Sequence, residues 1–576
     1  MNIFKELGRD LKKVTQKIYP DDKLWDSANL EAPKDPLNGD IATNIAMKIA
    51  SKKGGNPREV ALKFKELLAD IPYIAHIEVA GPGFINFTIK ADKWHECIKA
   101  ILKGDPEFWE VNVGNGEKVN IEYVSANPTG PMHIGHARGA VYGDVLANIM
   151  QKCGYDVIKE YYVNDAGSQI DTLTDSMVLR YQEAVTGKEA IIPEGYYPGE
   201  YLKNVAKDLV AEYGKELLKL PEAESRSKIK DFVIKAMLDL IKSDLASLGI
   251  KHDVFFSEQS LYDDNKITLA IDKLKENDLI YKGKLPPPKG KVDENWQARE
   301  QLLFKSSAFG DDQDRPVQKN DGSWAYLATD IAYAKDKIDR GFDILIYILG
   351  ADHSGYVKRI NAVTKAFSDN KVKSDVKISQ LVNFVKDNKP VKMSKRSGHF
   401  MTIGDVINEV GKDIVRFIML TRRNDMTLDF DFSKVVEQSK DNPVFYVQYA
   451  YVRTRSILAN AKENATSAYD KFMIDEFDLS LLSSEEEIQL IKLLALWPKV
   501  LASAAKNFEP HKIAYYLIDV ASRFHSIWNL GKENNEYRFV TNNDELTAAR
   551  LALSEAIKKI IANGFEIIGI TMVEKM

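Results

Sequence analysis

The sequence predicts a multidomain α/β protein: a Rossmann-type parallel-sheet domain between a small α+β domain and an all-α C-terminal region. Three stretches carry that expectation. Lys118–Val163 reads as strand, loop, helix and strand. Phe342–Leu349 is a nearly continuous apolar run, as expected of a parallel strand buried on both faces. From Asn442 to Met576, apolar residues recur at helical spacing almost throughout. With 576 residues the chain exceeds a single core, and length alone suggests about three to five domains.

Bulk properties narrow the class. Hydrophobic content of 44% and charged content of 28% are those of a soluble globular protein. No apolar run approaches the roughly 20 residues needed to cross a bilayer, so no membrane partner is expected. Met1-Asn2-Ile3-Phe4-Lys5-Glu6 has no signal-peptide core, and its acidic residue argues against a transit peptide, which leaves a cytoplasmic location. Cys97 and Cys153 are the only cysteines, too few for a disulfide framework or a cysteine zinc site. A net charge of −5 neither predicts nor excludes a nucleic-acid partner, which feels the local distribution of lysine and arginine.

The first domain is expected over residues 1–112. Asp40–Ala50 has apolar residues at helical spacing, and Asn56-Pro57 opens a second helix with Asn as N-cap and Pro at the first helical position. His76–Val79 and Phe84–Ile89 flank Ala80-Gly81-Pro82-Gly83, a strand–turn–strand pattern. Composition alone leaves this domain a structural one. The parallel-sheet domain is expected over 113–390. Val119, Ile121 and Tyr123 alternate with polar residues before the loop Ser125–His136. Ala137, Val141, Val145 and Ile149 follow at helical spacing, and Gly154 supplies a stop. A loop feeding a helix N-terminus favours anions, because free N–H groups and the helix dipole both attract negative charge. The dinucleotide glycine fingerprint is absent, which points to nucleotide phosphates held in another way.

The next strand ends in Asn164-Asp165-Ala166-Gly167-Ser168-Gln169, at the carboxyl edge where open α/β sheets bind ligands. Unaided, these residues read as a plain turn. Residues 173–288 look like a helical insertion, with Tyr201–Tyr213 and Ile229–Leu248 periodic and the lysines on a solvated face. The second half begins near Trp296, where Trp324–Asp330 leads into a helix and the Phe342–Leu349 strand ends in Gly350-Ala351-Asp352-His353-Ser354-Gly355. A loop and connecting segment occupy 391–441. Residues 442–576 read as a helical bundle, which by pattern alone would serve oligomerisation equally well.

Two short strings carry chemistry: His133-Ile134-Gly135-His136 and, downstream, Lys392-Met393-Ser394-Lys395-Arg396. Alone, the first could be two ordinary histidines at the start of a helix. Together and in this order they resemble the two signatures of class I aminoacyl-tRNA synthetases, the second with arginine in its fifth place. Gly39–Asn44, Ala80–Asn86 and Asn164–Gln169 resemble arginyl-tRNA synthetases in particular. Ala549–Leu553 and Gly564–Gly569 resemble that family's α-helical anticodon-binding domain, and the first domain its tRNA-contacting N-terminal domain.

The resemblance implies an arginine–tRNA ligase. ATP would activate L-arginine to arginyl-adenylate, and the aminoacyl group would pass to the 3′ end of tRNA(Arg), with Mg2+ beside the ATP phosphates. It assigns catalysis to His133, His136, Lys392 and Lys395. It assigns ATP binding to these together with Gly135, Gly350, Asp352, Met393 and Ser394. Neither step needs a covalent protein intermediate, so positioning and stabilised phosphate charge must carry the rate, which suits glycine, histidine and lysine. Glu122, Asn127, Tyr326 and Asp330 match the family's arginine-reading positions, while Asn164, Asp165 and Gln169 would lie close to ligand. A guanidinium is a planar fork of donors and is matched best by carboxylates. Tyr326 and Asp330 share a helix face at i, i+4. Without the family, Glu122 would be a solvent-side strand residue and Tyr326 a core residue.

No protein metal site is expected, since no further ligands join the two histidines. No extended self-complementary apolar stripe stands out, so the chain should be a monomer. Three readings compete: a class I synthetase for another amino acid, an inactive tRNA-binding paralogue, and a nucleotidyltransferase sharing the His-x-x-His fold. Intact His133, His136, Lys392 and Lys395 oppose the second, and the long helical C-terminal region opposes the third.

Overall fold

The computed structural model describes residues 1–20, 29–33, 35–285, 299–319, 321–386, 389–390, 401–439 and 441–576. Lys392, Met393, Ser394 and Lys395 lie outside the described residues. The N-terminal domain is an antiparallel sheet of β1 (Leu30–Glu31), β2 (Ile41–Thr43), β3 (Ile74–Ala80) and β4 (Phe84–Ile89), ordered β1-β2-β4-β3. Helices Ile3–Ile18, Ile45–Lys53, Pro57–Leu68 and Ala91–Lys103 accompany it. Asn56 caps the third of these, its side chain accepting from Arg58 N at 2.9 Å with Pro57 at the first turn. The helix expected over Asp40–Ala50 starts only at Ile45. Ile41–Thr43 pairs instead with Ile85–Phe87 and buries Ile41 and Thr43 on one face.

The catalytic domain is built on a five-stranded parallel sheet among the described residues. Its strands are β5 (Lys118–Tyr123), β6 (Asp156–Val163), β7 (Val254–Ser257), β11 (Ile344–Gly350) and β12 (Lys373–Ser379), after a small antiparallel sheet of β8 (Ile280–Lys284), β9 (Glu300–Phe304) and β10 (Arg315–Pro316). The order β12-β11-β5-β6-β7 puts β5 at the centre, with Val119, Ile121 and Tyr123 fully buried. The chain leaves β5 to one side and returns as β11 on the other, so a crevice opens at the carboxyl ends of these two strands. The stretch expected as a helical insertion over 173–288 is broken by β7, which pairs in parallel with β6 and extends the main sheet. A third sheet, β14-β13-β15, joins β13 (Val382–Lys386), β14 (Lys389–Pro390) and β15 (Leu428–Asp431).

From Pro443 to Ile568 the chain is a helical bundle, packed around Trp497, Leu517, Phe524 and Ile560. Glu485–Asn507 is long and apolar enough, by length and composition, to cross a membrane, contrary to the expectation from the sequence. It is two helices, Glu485–Ala495 and Trp497–Asn507, whose apolar residues Leu490, Leu494, Trp497 and Leu501 face the bundle core.

The helix Ala137–Lys152, which follows the two histidines, is buried on nearly every side. Its Tyr142 hydroxyl donates to Phe508 O, and Asn148 Nδ2 to Ile567 O at 3.0 Å. Its Asp144 accepts from Arg416 at 2.6 Å, and Arg416 in turn donates to Leu248 O at 2.9 Å and Ile568 O at 2.5 Å. Gly569 closes the last helix with φ +76°, and a Cβ there would lie 2.7 Å from the Arg416 guanidinium. The histidine helix is therefore bonded directly to the C-terminal bundle, at Phe508 in its middle and at Ile567 in its last turn.

Candidate active site

The backbone leaving β5 is strained. Val124 and Ser125 both take positive φ, 74° and 42°, a conformation costly for any side chain and most of all for a β-branched one. Neighbours hold it there. Ser125 Oγ donates to Glu122 Oε1 at 3.2 Å and accepts from Tyr162 N at 3.1 Å. Asn164 Nδ2 donates to Ser125 O at 3.2 Å, and the Tyr161 hydroxyl to Ala126 O at 2.7 Å. Further along the loop, Met132 N donates to Asp244 at 2.7 Å and the Tyr201 hydroxyl to Thr129 O at 2.5 Å. Both partners come from the segment between β6 and β7, so those helices strap the loop from outside.

His133 and His136 stack ring on ring, 3.8 Å between centroids and 20° from parallel. Gly135 makes this possible, because a Cβ there would lie 2.9 Å from the His133 ring. The histidine loop is tied to the segment just past the lysine signature: Ile134 N donates to Met401 O at 3.2 Å and Ile403 N to Met132 O at 3.0 Å. Gly350 and Asp352 sit at the carboxyl end of the adjacent β11, exposed, with Asp352 3.3 Å from His353 Nε2. The histidine loop and Gly350–Asp352 thus follow the carboxyl ends of neighbouring strands, β5 and β11.

Beside it lies a cluster of carboxylates. Tyr326, Asp330, Tyr333 and Lys337 follow one face of the helix Tyr326–Asp339. Lys337 is fully buried and donates to Glu122 Oε2 at 2.6 Å, with Glu160 at 4.0 Å and the rings of Tyr333 and Tyr347 4.2 and 4.1 Å away. Glu122 is 6% exposed, so it is not the solvent-side residue that strand alternation suggests. Burial alone would raise the Glu160 pKa, but Arg340, gripping both its oxygens at 2.6 and 2.9 Å, and Lys337 hold it below the usual range. Tyr333 donates to the same carboxylate at 2.6 Å.

Asp330 and Glu258 have no such grip. Burial, reinforced by Glu122, pushes Asp330 up to about 7 despite Arg359. Burial, reinforced by Asp165 and Asp330, pushes Glu258 up to about 7 despite a hydrogen bond with Tyr162. Two buried carboxylates, the one raising the other and neither in an ion pair among the described residues, form a site short of positive charge. Tyr326, 77% exposed rather than in the core, stands one turn before Asp330 on the same helix face.

The structure brings several of the expected residues together. Asn127 Nδ2 donates to Gln169 Oε1 at 2.8 Å, and Asn164 braces Ser125. Asp165 uses its oxygens on Gln259 N and Ser257 Oγ at 2.8 and 2.6 Å, which fixes the turn carrying Glu258. Sequence reasoning missed Glu258 and Lys337. The helical spacing 326, 330, 333, 337 pointed to Lys337, and the aromatic pair before Ser257-Glu258 pointed to a short strand ending in an acid.

Comparison with known proteins agrees with this geometry. Residues 97–440 match the family profile described as tRNA synthetases class I (R), catalytic domain. Residues 5–89 match the arginyl tRNA synthetase N terminal domain, and 447–576 the DALR anticodon binding domain. An arginine–tRNA ligase of Rickettsia bellii is 60% identical over 577 aligned residues, covering all of both chains. A solved arginyl-tRNA synthetase structure from Campylobacter jejuni, 33% identical, superposes with a TM-score of 0.71 over 85% of this chain and 100% of its own. The Thermus thermophilus arginyl-tRNA synthetase, 17% identical, shares the fold with a TM-score of 0.72 over 99% of this chain and 100% of its own. Matched by that catalytic-domain profile over 97–440 and by a relative 60% identical over its full length, the chain belongs to the arginyl-tRNA synthetase family.

Proposed function

We propose that this arginine–tRNA ligase seats the arginine guanidinium between Asp330 and Glu258, with Tyr326 and Asn127 orienting the substrate. The two buried carboxylates, both raised and neither in an ion pair among the described residues, are the observation that carries this reading. Glu122, already neutralised by Lys337, then acts on the pocket chiefly by holding Ser125 and its strained neighbour. The arginine carboxylate attacks the α-phosphate of ATP and releases pyrophosphate. The stacked His133 and His136 donate to phosphate oxygens, with Gly350 and Asp352 beside the adenosine and Lys392 and Lys395 on the pyrophosphate. Met393 and Ser394 complete the ATP site. Loss of one charge-assisted contact costs about 2–4 kcal/mol of barrier, or roughly 30- to 1000-fold in rate. Magnesium enters with ATP as part of the substrate. Among the described residues, no three His, Cys, Asp or Glu side chains gather to hold a metal ion.

The tRNA lies along the N-terminal domain and the C-terminal bundle in this reading. On the bundle, Arg453 stacks on Tyr449 at 4.0 Å and Trp528 at 4.9 Å, beside the stacked pair Phe445–Tyr449. Half-buried aromatics with an arginine form a platform that suits unstacked bases of an anticodon loop. The domains correspond to residues 1–112, 113–390, 391–441 and 442–576, and the protein acts as a cytoplasmic monomer. A stable dimer in sedimentation at micromolar concentration would overturn the last point.

The deciding experiment is exchange of pyrophosphate into ATP with each amino acid, with and without total tRNA. Exchange with arginine alone, and only when tRNA is present, is expected. Exchange with lysine would show that the pocket is misread.

A further inference from the structure

Arg138 follows His136 by two residues and is 1% exposed, yet among the described residues it forms no ion pair. Its Nη1 donates to Gln380 O at 3.0 Å and Met426 O at 2.7 Å, and its Nη2 to Arg423 O at 2.7 Å. A buried guanidinium bonded to three carbonyls, with the Asp425 carboxylate near but not paired to it, is an expensive way to fill space, which an aliphatic side chain would fill at less cost. Burial pulls its pKa down to about 10. Its three acceptors belong to one knot. Gln380 N donates to Asn424 O at 2.8 Å, and Asn424 Nδ2 to Ile378 O at 2.9 Å, so the end of β12 and the 423–426 turn move together. That turn abuts the C-terminal bundle: Arg423 and Asp425 lie close enough to His511 to perturb its charge, and Arg423 does the same to Glu509. Next to it, Lys377 of β12 stands 5.3 Å over the Phe508 ring.

We propose that Arg138 is a positioning residue of the activation step. Its fork fixes the helix behind His133 and His136 to the end of β12 and to the 423–426 turn, and so links the seating of the C-terminal bundle to the placement of the histidines. This rests on the reading that His133 and His136 face the ATP phosphates.

The test is Arg138→Lys in the full chain. It keeps the charge, but one ammonium cannot span three carbonyls set for a planar fork. Pyrophosphate exchange with saturating arginine, ATP and tRNA should lose roughly 10- to 100-fold in kcat, as misplacement of a catalytic group does. The KM for arginine and the Kd for tRNA should stay within about twofold, because neither contact set includes residue 138. An unchanged kcat in a folded variant, or a loss confined to KM, overturns the proposal. His133→Ala and His136→Ala, measured alongside, test the underlying reading: full activity in both would sink that reading whatever Arg138 does. Should the lysine variant not fold, Asp425→Ala serves instead. Asp425 is half exposed, pairs with Arg423 at 2.7 Å and favours the Arg138 charge from nearby, so its loss slackens the turn and weakens the hold of Arg138 on it while the guanidinium itself is kept. A fall of about threefold in kcat at constant KM is expected, on the scale of coupling through one contact network. No change in kcat there overturns the proposal as well.

Discussion

At the scale of single residues, the acidic pocket is the most testable feature. In the empty site Asp330 and Glu258 each titrate near 7, so below that pH they hold protons that a guanidinium must displace. The KM for arginine should therefore fall as pH rises from about 6 to 8 and level off above. A flat profile over that range would contradict the assignment. Asp330→Asn and Glu258→Gln should each weaken kcat/KM for arginine by roughly 30- to 1000-fold while leaving the KM for ATP nearly unchanged. A different residue sets acid stability. His252 is buried against Tyr123, 4.1 Å between rings, and burial pulls its pKa down to about 4. The unfolded chain binds this proton near pH 6.5 and the folded one only near 4, so stability is lost as pH falls through that window. The full loss amounts to about 3 kcal/mol. His252→Phe should flatten the urea midpoint between pH 6.5 and 4.

At the scale of elements, what the sequence disclosed follows the length and regularity of each pattern. The strand Ile344–Gly350 and the helix Tyr201–Tyr213 were legible because apolar residues repeat over two turns or more, or run unbroken. Ile41–Thr43 was not, since three residues cannot separate a period of two from one of 3.6. The same brevity hid Val254–Ser257 between long helices, and with it Glu258. The histidine signature was plain in the sequence, but the partners that hold it, Asp244, Tyr201 and Met401, come from distant segments and leave no local trace. One element boundary is also a sharp prediction. Gly569→Ala would strain a left-handed residue and press its Cβ on Arg416. A loss of about 2–4 kcal/mol in denaturant unfolding is expected, from the strain together with a disturbed buried ion pair. A change under about 0.5 kcal/mol, as on an open surface, would show that Arg416 yields freely.

At the scale of the whole molecule, the N-terminal domain is bonded to the bundle. Lys492 pairs with Asp40 at 2.6 Å, and His95 Nε2 meets Leu482 O at 3.0 Å. Both ends of the chain therefore form one platform, and the histidine helix is bolted to it through Tyr142, Asp144 and Asn148. This bears on how such a protein can be taken apart and how its lineage can change. A bundle that recognises nucleic acid is often treated as a cassette that can be cut away or exchanged between relatives. Here two of the carbonyls that satisfy Arg416 and Asn148 are supplied by Ile568 and Ile567, eight and nine residues from the end of the chain. Excising the bundle would take the Ile568 carbonyl from the Arg416 guanidinium and open the buried Arg416–Asp144 pair to water. A fragment of residues 1–441 should be insoluble rather than merely unable to select its tRNA. A graft would have to carry Arg416, Asp144 and the final helical turn as a single inherited unit.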